Sequence, residues 1–563
     1  MTFEEFPYQR PDMEQFKREF KQALTAFKRA ESAQAQEKAM DTIYQLYFDF
    51  DTVSTLAHIR NSIDTNDEFY AKEKEFFNEQ SPVFKDLMNQ FYQALSDASF
   101  KAELKASKGE LLFKQAEQSL STFSQEIMHD LGEENRLANE HQKLLASAQI
   151  EFKDDTYNLS QMTPFLQDKD RSVRKEAANA IMHFFEGHEE TLDDIYDQLI
   201  TVRTKIAKKL GYASFTDLAY NRLGRLDYGP QDVATWREEV KRLIVPINSE
   251  LAERKRKRLD LDTLYHYDGL EFQSGNPTPV GGKDTLVEKA RTMYAQMSPQ
   301  TDEFFTHMVD HNLMDLQSKK GKAGGGYCTF IHNHDSPFIF ANFNGTKGDV
   351  DVLTHEAGHA FQMYMSRGKS VPEYHMATME ASEIHSMSME FFAWPWAQEF
   401  FGEDAEKYKF SHLSQSLMLI AYGASIDEFQ HEIYANPSMS KKQRKDLWRK
   451  IEKTYFPHRQ YDDAPYYERG GGWHRIMHIF AVPFYMIDYT LAQSCAFQFF
   501  KRKLDDEEAA WKDYVKLCET GGEKTFTDLL EMANLKNPFD KGALETIIPT
   551  IKAHLDAIDD TKL

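Results

Sequence analysis

The chain has 563 residues, more than one simple core holds, so two or more sub-domains are expected. Its 41% hydrophobic and 13% aromatic content exclude the disordered class, and a net charge of −23 argues against a nucleic-acid partner, whose phosphates need a basic surface. Three scattered cysteines (Cys328, Cys495, Cys518) are too few for a disulfide framework or a thiolate metal site and favour a reducing compartment. The first residues show no signal-peptide pattern, and no run approaches the ~18 apolar residues of a membrane span. A cytoplasmic protein with no membrane partner is expected.

From about residue 12 to about 210 the pattern is helical. Phe16, Phe20, Leu24 and Phe27 recur at the 3.6-residue period, as do Met40, Ile43 and Tyr47, which predicts a bundle of long helices. Pro82 and Pro164 mark expected breaks, with Thr163-Pro164 opening a new helix. Between about Tyr265 and Asp351 glycine and proline become frequent and apolar residues alternate with polar ones. Residues 275–282 and 319–326 read as loops, and 327–331 and 338–343 as strands. A short sheet there could pair its edge with an extended peptide backbone. Helix resumes after Gly368. The fold class expected is mainly α, with a helical N-terminal domain over 1–195 and a second domain over 196–563 that contains a small sheet around 326–343.

Directly after the strands stands His355-Glu356-Ala357-Gly358-His359. On a helix the two histidines lie one turn apart on one face, so both imidazoles can reach one ion, with Glu356 beside them. Zinc suits this pattern because a catalytic zinc takes three protein ligands and keeps a position for water, which Glu356 is placed to deprotonate. A solvated surface helix is the bland alternative. Against it, Val352, Leu353, Ala357, Ala360 and Phe361 make the remaining positions apolar, and buried imidazoles beside a buried carboxylate need a partner. Gly358 costs up to about 1 kcal/mol against alanine inside a helix, which makes sense if something packs close to the backbone. A third donor is expected from 379–390, where Glu380, Glu383 and Glu390 share a face. Helical phase leaves Glu380 and Glu383 both open, and His385 points off that face.

Hydrogen-bond donors for a developing oxyanion are expected near the Gly470-Gly471-Gly472 triplet. His478, Tyr485 and Tyr489 are the candidates there, the two tyrosines four apart on one helical face, although core tyrosines would read the same way. His332 and His334 alternate on an expected strand, but without an acidic cluster a substrate-lining or exposed role is preferred to a second metal. Residues 345–348 lack the P-loop pattern.

Three stretches together, His355-Glu-Ala-Gly-His359-Ala-Phe-Gln362, Glu380-Ala-Ser-Glu383-Ile-His-Ser386-Met-Ser-Met-Glu390-Phe-Phe392 and His478-Ile-Phe-Ala-Val-Pro-Phe-Tyr485-Met-Ile-Asp-Tyr489, resemble the M3 family of zinc metallopeptidases in its oligoendopeptidase F and Pz-peptidase branch. The resemblance covers roughly the last two-thirds of the chain by motif and the helical N-terminal part in character. It implies one zinc held by His355, His359 and Glu383, with Glu390 supporting and Glu380 orienting an imidazole. It also implies Glu356 as general base and then acid, and His478, Tyr485 and Tyr489 around the substrate and the oxyanion. The fold it implies is a zincin-type catalytic domain within a helical shell, enclosing a deep channel for short unfolded peptides. One departure is His385, where relatives such as thimet oligopeptidase carry proline. The function expected is a zinc endopeptidase of oligopeptides. A zinc exopeptidase would need a group to hold a peptide terminus, and a peptide-binding protein with a non-catalytic zinc is disfavoured by an open coordination position. Oligomeric state is not legible.

Overall fold

The helical stripes of the first segment become the helices Met13–Lys28 and Ala33–Ile63, and a third, Glu68–Ser96, packs with them. Each begins at a side chain that accepts orphan backbone N–H groups: Asp12 from Glu14 and Gln15, Ser32 from Ala35, and Asp67 from Phe69 and Tyr70. Phe20, Phe27, Met40 and Ile43 are fully buried between them, while Tyr47 is half-buried. The computed structural model describes residues 1–563 and is mainly helical. It divides into two compact units, each assembled from three stretches: 1–121, 278–405 and 495–536 in one, 122–277, 406–494 and 537–563 in the other. No helix is long and apolar enough to cross a membrane.

Two local expectations are corrected. Pro82 does not break its helix but sits inside Glu68–Ser96. The missing hydrogen bond and ring clash cost about 3 kcal/mol. Burial of Phe77, Leu87, Met88 and Phe91 on the same helix outweighs that. The segment before residue 210 is also not all helix, since Ile150–Phe152 pairs antiparallel with Asp155–Tyr157. Thr163-Pro164 does open a helical turn, a 3₁₀ segment over Thr163–Gln167.

The first unit holds a three-stranded sheet. Ser336–Phe343 is its central strand, paired antiparallel with Tyr327–Ile331 and parallel with Met314–Gln317. Both expected strands are present. The third, Met-Asp-Leu-Gln, is too short and too polar to show a period of its own. In the central strand only Asn342 is not buried, whereas Tyr327, Cys328 and Thr329 on the edge strand are half-exposed. His332–His334 forms a 3₁₀ turn rather than strand, so its two histidines diverge. His334 stacks on Phe6 at 3.7 Å, while His332 lies against His375, its Nε2 3.5 Å from the Asp51 carboxylate.

In the second unit Ile181, Met182, Phe185 and Leu192, from the helices Arg171–Gly187 and Glu189–Lys209, share a core with Tyr466 and Tyr467. The glycine triplet is a close-approach segment. Gly470 has φ +89°, and a Cβ there would stand only 2.0 Å from the Lys445 carbonyl oxygen.

Candidate active site

A turn leads from the sheet into the helix Gly348–Ser366, where the Asp349 carboxylate accepts the N–H groups of Asn344 and Gly345 at 2.9 and 2.8 Å. The helix buries Leu353, Ala357, Ala360 and Phe361 completely, which turns His355 and His359 to the opposite side. A second helix, Met379–Phe392, crosses it at Gly358. A Cβ on Gly358 would lie 2.6 Å from Ser386 Cα and 2.7 Å from the His385 carbonyl oxygen, so only a bare backbone permits this approach. The close crossing carries Glu383 to the histidines.

Glu383 Oε2 lies 3.3 Å from His355 Nε2 and 3.4 Å from His359 Nε2. The ligand atoms of His355, His359 and Glu383 all fall within 4.8 Å of one another, and Glu380 and His385 are outside that group. Ser386, one turn on, donates its hydroxyl to Glu383 Oε2 at 2.9 Å. His355 Nδ1 lies 2.7 Å from Glu390 Oε1, which assigns the ring hydrogen to Nδ1 and leaves Nε2 as a donor atom for an ion. Burial alone would raise the Glu383 pKa, but the imidazoles of His359 and His355 outweigh it and hold the carboxyl well below its ordinary range. Burial likewise opposes the charged form of His355, yet Glu383 and Glu390 hold its pKa well above the usual value.

Glu356 is 8% exposed, and its Oε2 has no hydrogen-bond partner. Burial raises its pKa. It faces the start of the edge strand, where a Cβ at Gly326 would stand 3.7 Å from Glu356 Oε1. Two imidazoles and one carboxylate, with no thiolate, fit zinc in a catalytic rather than a structural site, and an orphaned buried carboxylate oxygen beside them fits a group that meets a water or an ion. His385 is fully buried, its pKa lowered to about 3 by burial, and its carbonyl accepts the Tyr514 hydroxyl at 2.8 Å.

The second unit brings His478, Tyr485 and Tyr489 together. Their ring centroids lie 5.9 Å (His478–Tyr485), 6.1 Å (His478–Tyr489) and 4.8 Å (Tyr485–Tyr489) apart. Tyr485 is 9% exposed, whereas His478 and Tyr489 are half-buried. The backbone around His478 is held by the fully buried Arg203, whose guanidinium donates to the carbonyls of Ile479 and Phe480. His474 by contrast is a core residue, bonded to Tyr466 at 2.7 Å and to Asp193 at 3.1 Å. Sequence reasoning missed Ser386 as the support of Glu383 and Arg203 as the anchor of His478. A serine three residues after Glu383 was the visible signal for the first, and the second had none, since Arg203 reaches across more than 270 residues.

Residues 3–123 match the Peptidase M3 N-terminal domain and residues 294–548 match Peptidase family M3. The chain is 52% identical to a solved structure provisionally described as oligoendopeptidase F, each covering 100% of the other with a TM-score of 0.96. It is 50% identical to Pz peptidase A solved with an inhibitor, over 99% of this chain and 100% of that one, with a TM-score of 0.95. An oligoendopeptidase F homolog of Borreliella burgdorferi is 23% identical over 71% of this chain and 67% of its own length.

Proposed function

The chain belongs to peptidase family M3, and from that premise we propose that it is a zinc-dependent endopeptidase that hydrolyses internal bonds of short, unfolded peptides. The observation that carries the site assignment is the convergence of Glu383 Oε2 on the Nε2 atoms of both His355 and His359, with the Glu356 carboxylate buried beside them. In this reading His355, His359 and Glu383 hold one zinc ion. Bound there, zinc supplies Lewis acidity toward the attacking water and the scissile carbonyl.

The remaining steps belong to the chain's own groups. Glu356 accepts the proton of the water at its carboxylate and delivers it to the leaving amine nitrogen. Glu390 keeps the His355 ring oriented through Nδ1, and Ser386 fixes the rotamer of Glu383. The hydroxyls of Tyr485 and Tyr489 and the imidazole of His478 donate to the substrate and to the oxygen that gains charge. The unpaired side of Tyr327–Ile331 offers backbone groups to an extended substrate. The three free cysteines suit a reducing, cytoplasmic setting. The division into an N-terminal part over 1–195 and a catalytic part over 196–563 is proposed for function alone, since 195/196 falls inside the helix Glu189–Lys209.

The direct test is mass spectrometry of products from a pool of end-blocked peptides of mixed length, with and without a zinc chelator. Internal cleavage that the chelator abolishes and zinc restores is expected. Cleavage confined to free termini would make the protein an exopeptidase, and chelator-resistant cleavage would remove the metal from the reaction.

A further inference from the structure

Phe484 stands in the left-handed backbone region, with φ +67°. That conformation is unfavourable for any residue with a Cβ and persists only where the surroundings impose it. Here they impose it on both backbone groups. The Phe484 N–H donates to Oε1 of the buried Gln430 at 3.0 Å, and its carbonyl accepts from Arg225 Nη2 at 2.7 Å. The same nitrogen lies 2.6 Å from Asp488 Oδ1, and both side chains of this ion pair are completely buried. The fully buried Phe484 ring packs against His431, Tyr434 and Tyr220, with centroids at 5.0, 5.7 and 5.9 Å.

The helix that follows, Met486–Asp505, is pinned at its first turn as well. Trp236 Nε1 donates to Thr490 Oγ1 at 2.8 Å, and a Cβ on Gly423 would stand 2.7 Å from the Met486 carbonyl oxygen. Helix initiation alone does not call for a left-handed phenylalanine, since glycine would take that φ without strain. The consequence lies one residue on, because the turn at Phe484 sets the direction in which Tyr485 leaves the backbone toward His478 and Tyr489.

We propose that Gln430 and the Arg225–Asp488 pair are positioning residues that lock Phe484 in the left-handed conformation and thereby aim the Tyr485 hydroxyl at the scissile carbonyl oxygen. The inference rests on the role given to Tyr485 under the proposed function. If Gln430 acts through Tyr485, its effect belongs to the reaction's transition state and vanishes once the hydroxyl is gone.

The test is steady-state cleavage of an end-blocked, internally quenched peptide by the zinc-loaded full chain as wild type, Gln430→Met, Tyr485→Phe and the double variant. Gln430→Met keeps the side-chain volume and removes the acceptor. It is expected to lower kcat by about tenfold to a hundredfold with KM little changed. In the Tyr485→Phe background the same substitution is expected to change kcat by less than about twofold. Equal losses in both backgrounds, or no loss from Gln430→Met while Tyr485→Phe is impaired, would overturn the inference alone. An unimpaired Tyr485→Phe would overturn the role of Tyr485 and the inference with it. Should Gln430→Met fail to fold, Phe484→Gly and Phe484→Ala take its place. Both lose the ring, but only alanine is strained at this φ, so the glycine variant should keep the higher kcat, and equal values would overturn the proposal.

Discussion

Glu390 acts at one remove from any metal. Its carboxylate accepts the Nδ1 hydrogen of His355 at 2.7 Å and so makes Nε2 the nitrogen that would give up its proton to a zinc ion. Removing it as Glu390→Ala frees the ring to rotate and to change tautomer. Zinc affinity is then expected to fall about 10–100-fold, read by competition against a chelating dye, and an unchanged affinity would show that the bond does not support the ligand. Glu356 makes the opposite case. Its carboxylate is outside the ligand group, so Glu356→Gln should retain a full complement of zinc by elemental analysis while kcat drops about 10²–10⁴-fold. Near-normal turnover would remove it as the base. The two histidines and Glu356 were legible because all three fall within one helical turn, where spacing alone fixes the face. Glu383 was not separable from Glu380 by the same means, since both share a face of their own helix and only the position of the other helix tells them apart.

That position is set by Gly358. A glycine inside a helix forfeits about 1 kcal/mol relative to alanine, so on helix propensity alone Gly358→Ala should stabilise the protein. The structure predicts the reverse sign. With Ser386 Cα 2.6 Å and the His385 carbonyl oxygen 2.7 Å from the new methyl, the atoms in the way are backbone and have no rotamer by which to withdraw. The helices must separate, at a cost of about 1–3 kcal/mol for an overpacked core, and Glu383 moves away from the imidazoles with them. The variant should therefore melt a few degrees lower and bind zinc more weakly. A raised melting temperature with unchanged affinity would show that Gly358 does not set the approach of the two helices. The same competition between local and tertiary effects explains the elements that sequence misjudged. Pro82 is carried through its helix by the burial of its neighbours, while three-residue strands such as Ile150–Phe152 are too short to show any period.

Across the whole chain, the assembly of each unit from three separated stretches is what sequence pattern cannot supply. A stripe of Phe16, Phe20 and Phe27 states that a helix has a buried face but not which distant stretch covers it, and here Val371 and Tyr374, hundreds of residues on, belong to that core. The same long-range burial decides how stability depends on pH. In the second unit His141, His266, His431 and His458 each have a pKa lowered to about 4, chiefly by burial. They are neutral in the folded protein and titrate near 6.5 when unfolded. Below about pH 6.5 the unfolded chain therefore binds more protons, so stability complete above that pH is lost as pH falls toward 4. His266 isolates the effect because neither ring nitrogen has a hydrogen-bond partner and the ring packs among Tyr267, Tyr461 and Tyr467. Phenylalanine would fill the same space without a proton to gain. Denaturant unfolding of wild type and His266→Phe should give closely similar stabilities at pH 7.5, with the variant ahead by about 2 kcal/mol at pH 5. A constant difference across that range would show that His266 titrates alike in both states. Because Tyr267, Tyr461 and Tyr467 stay in place around either ring, repacking would shift both pH values together, and only the lost protonation can make the two curves diverge.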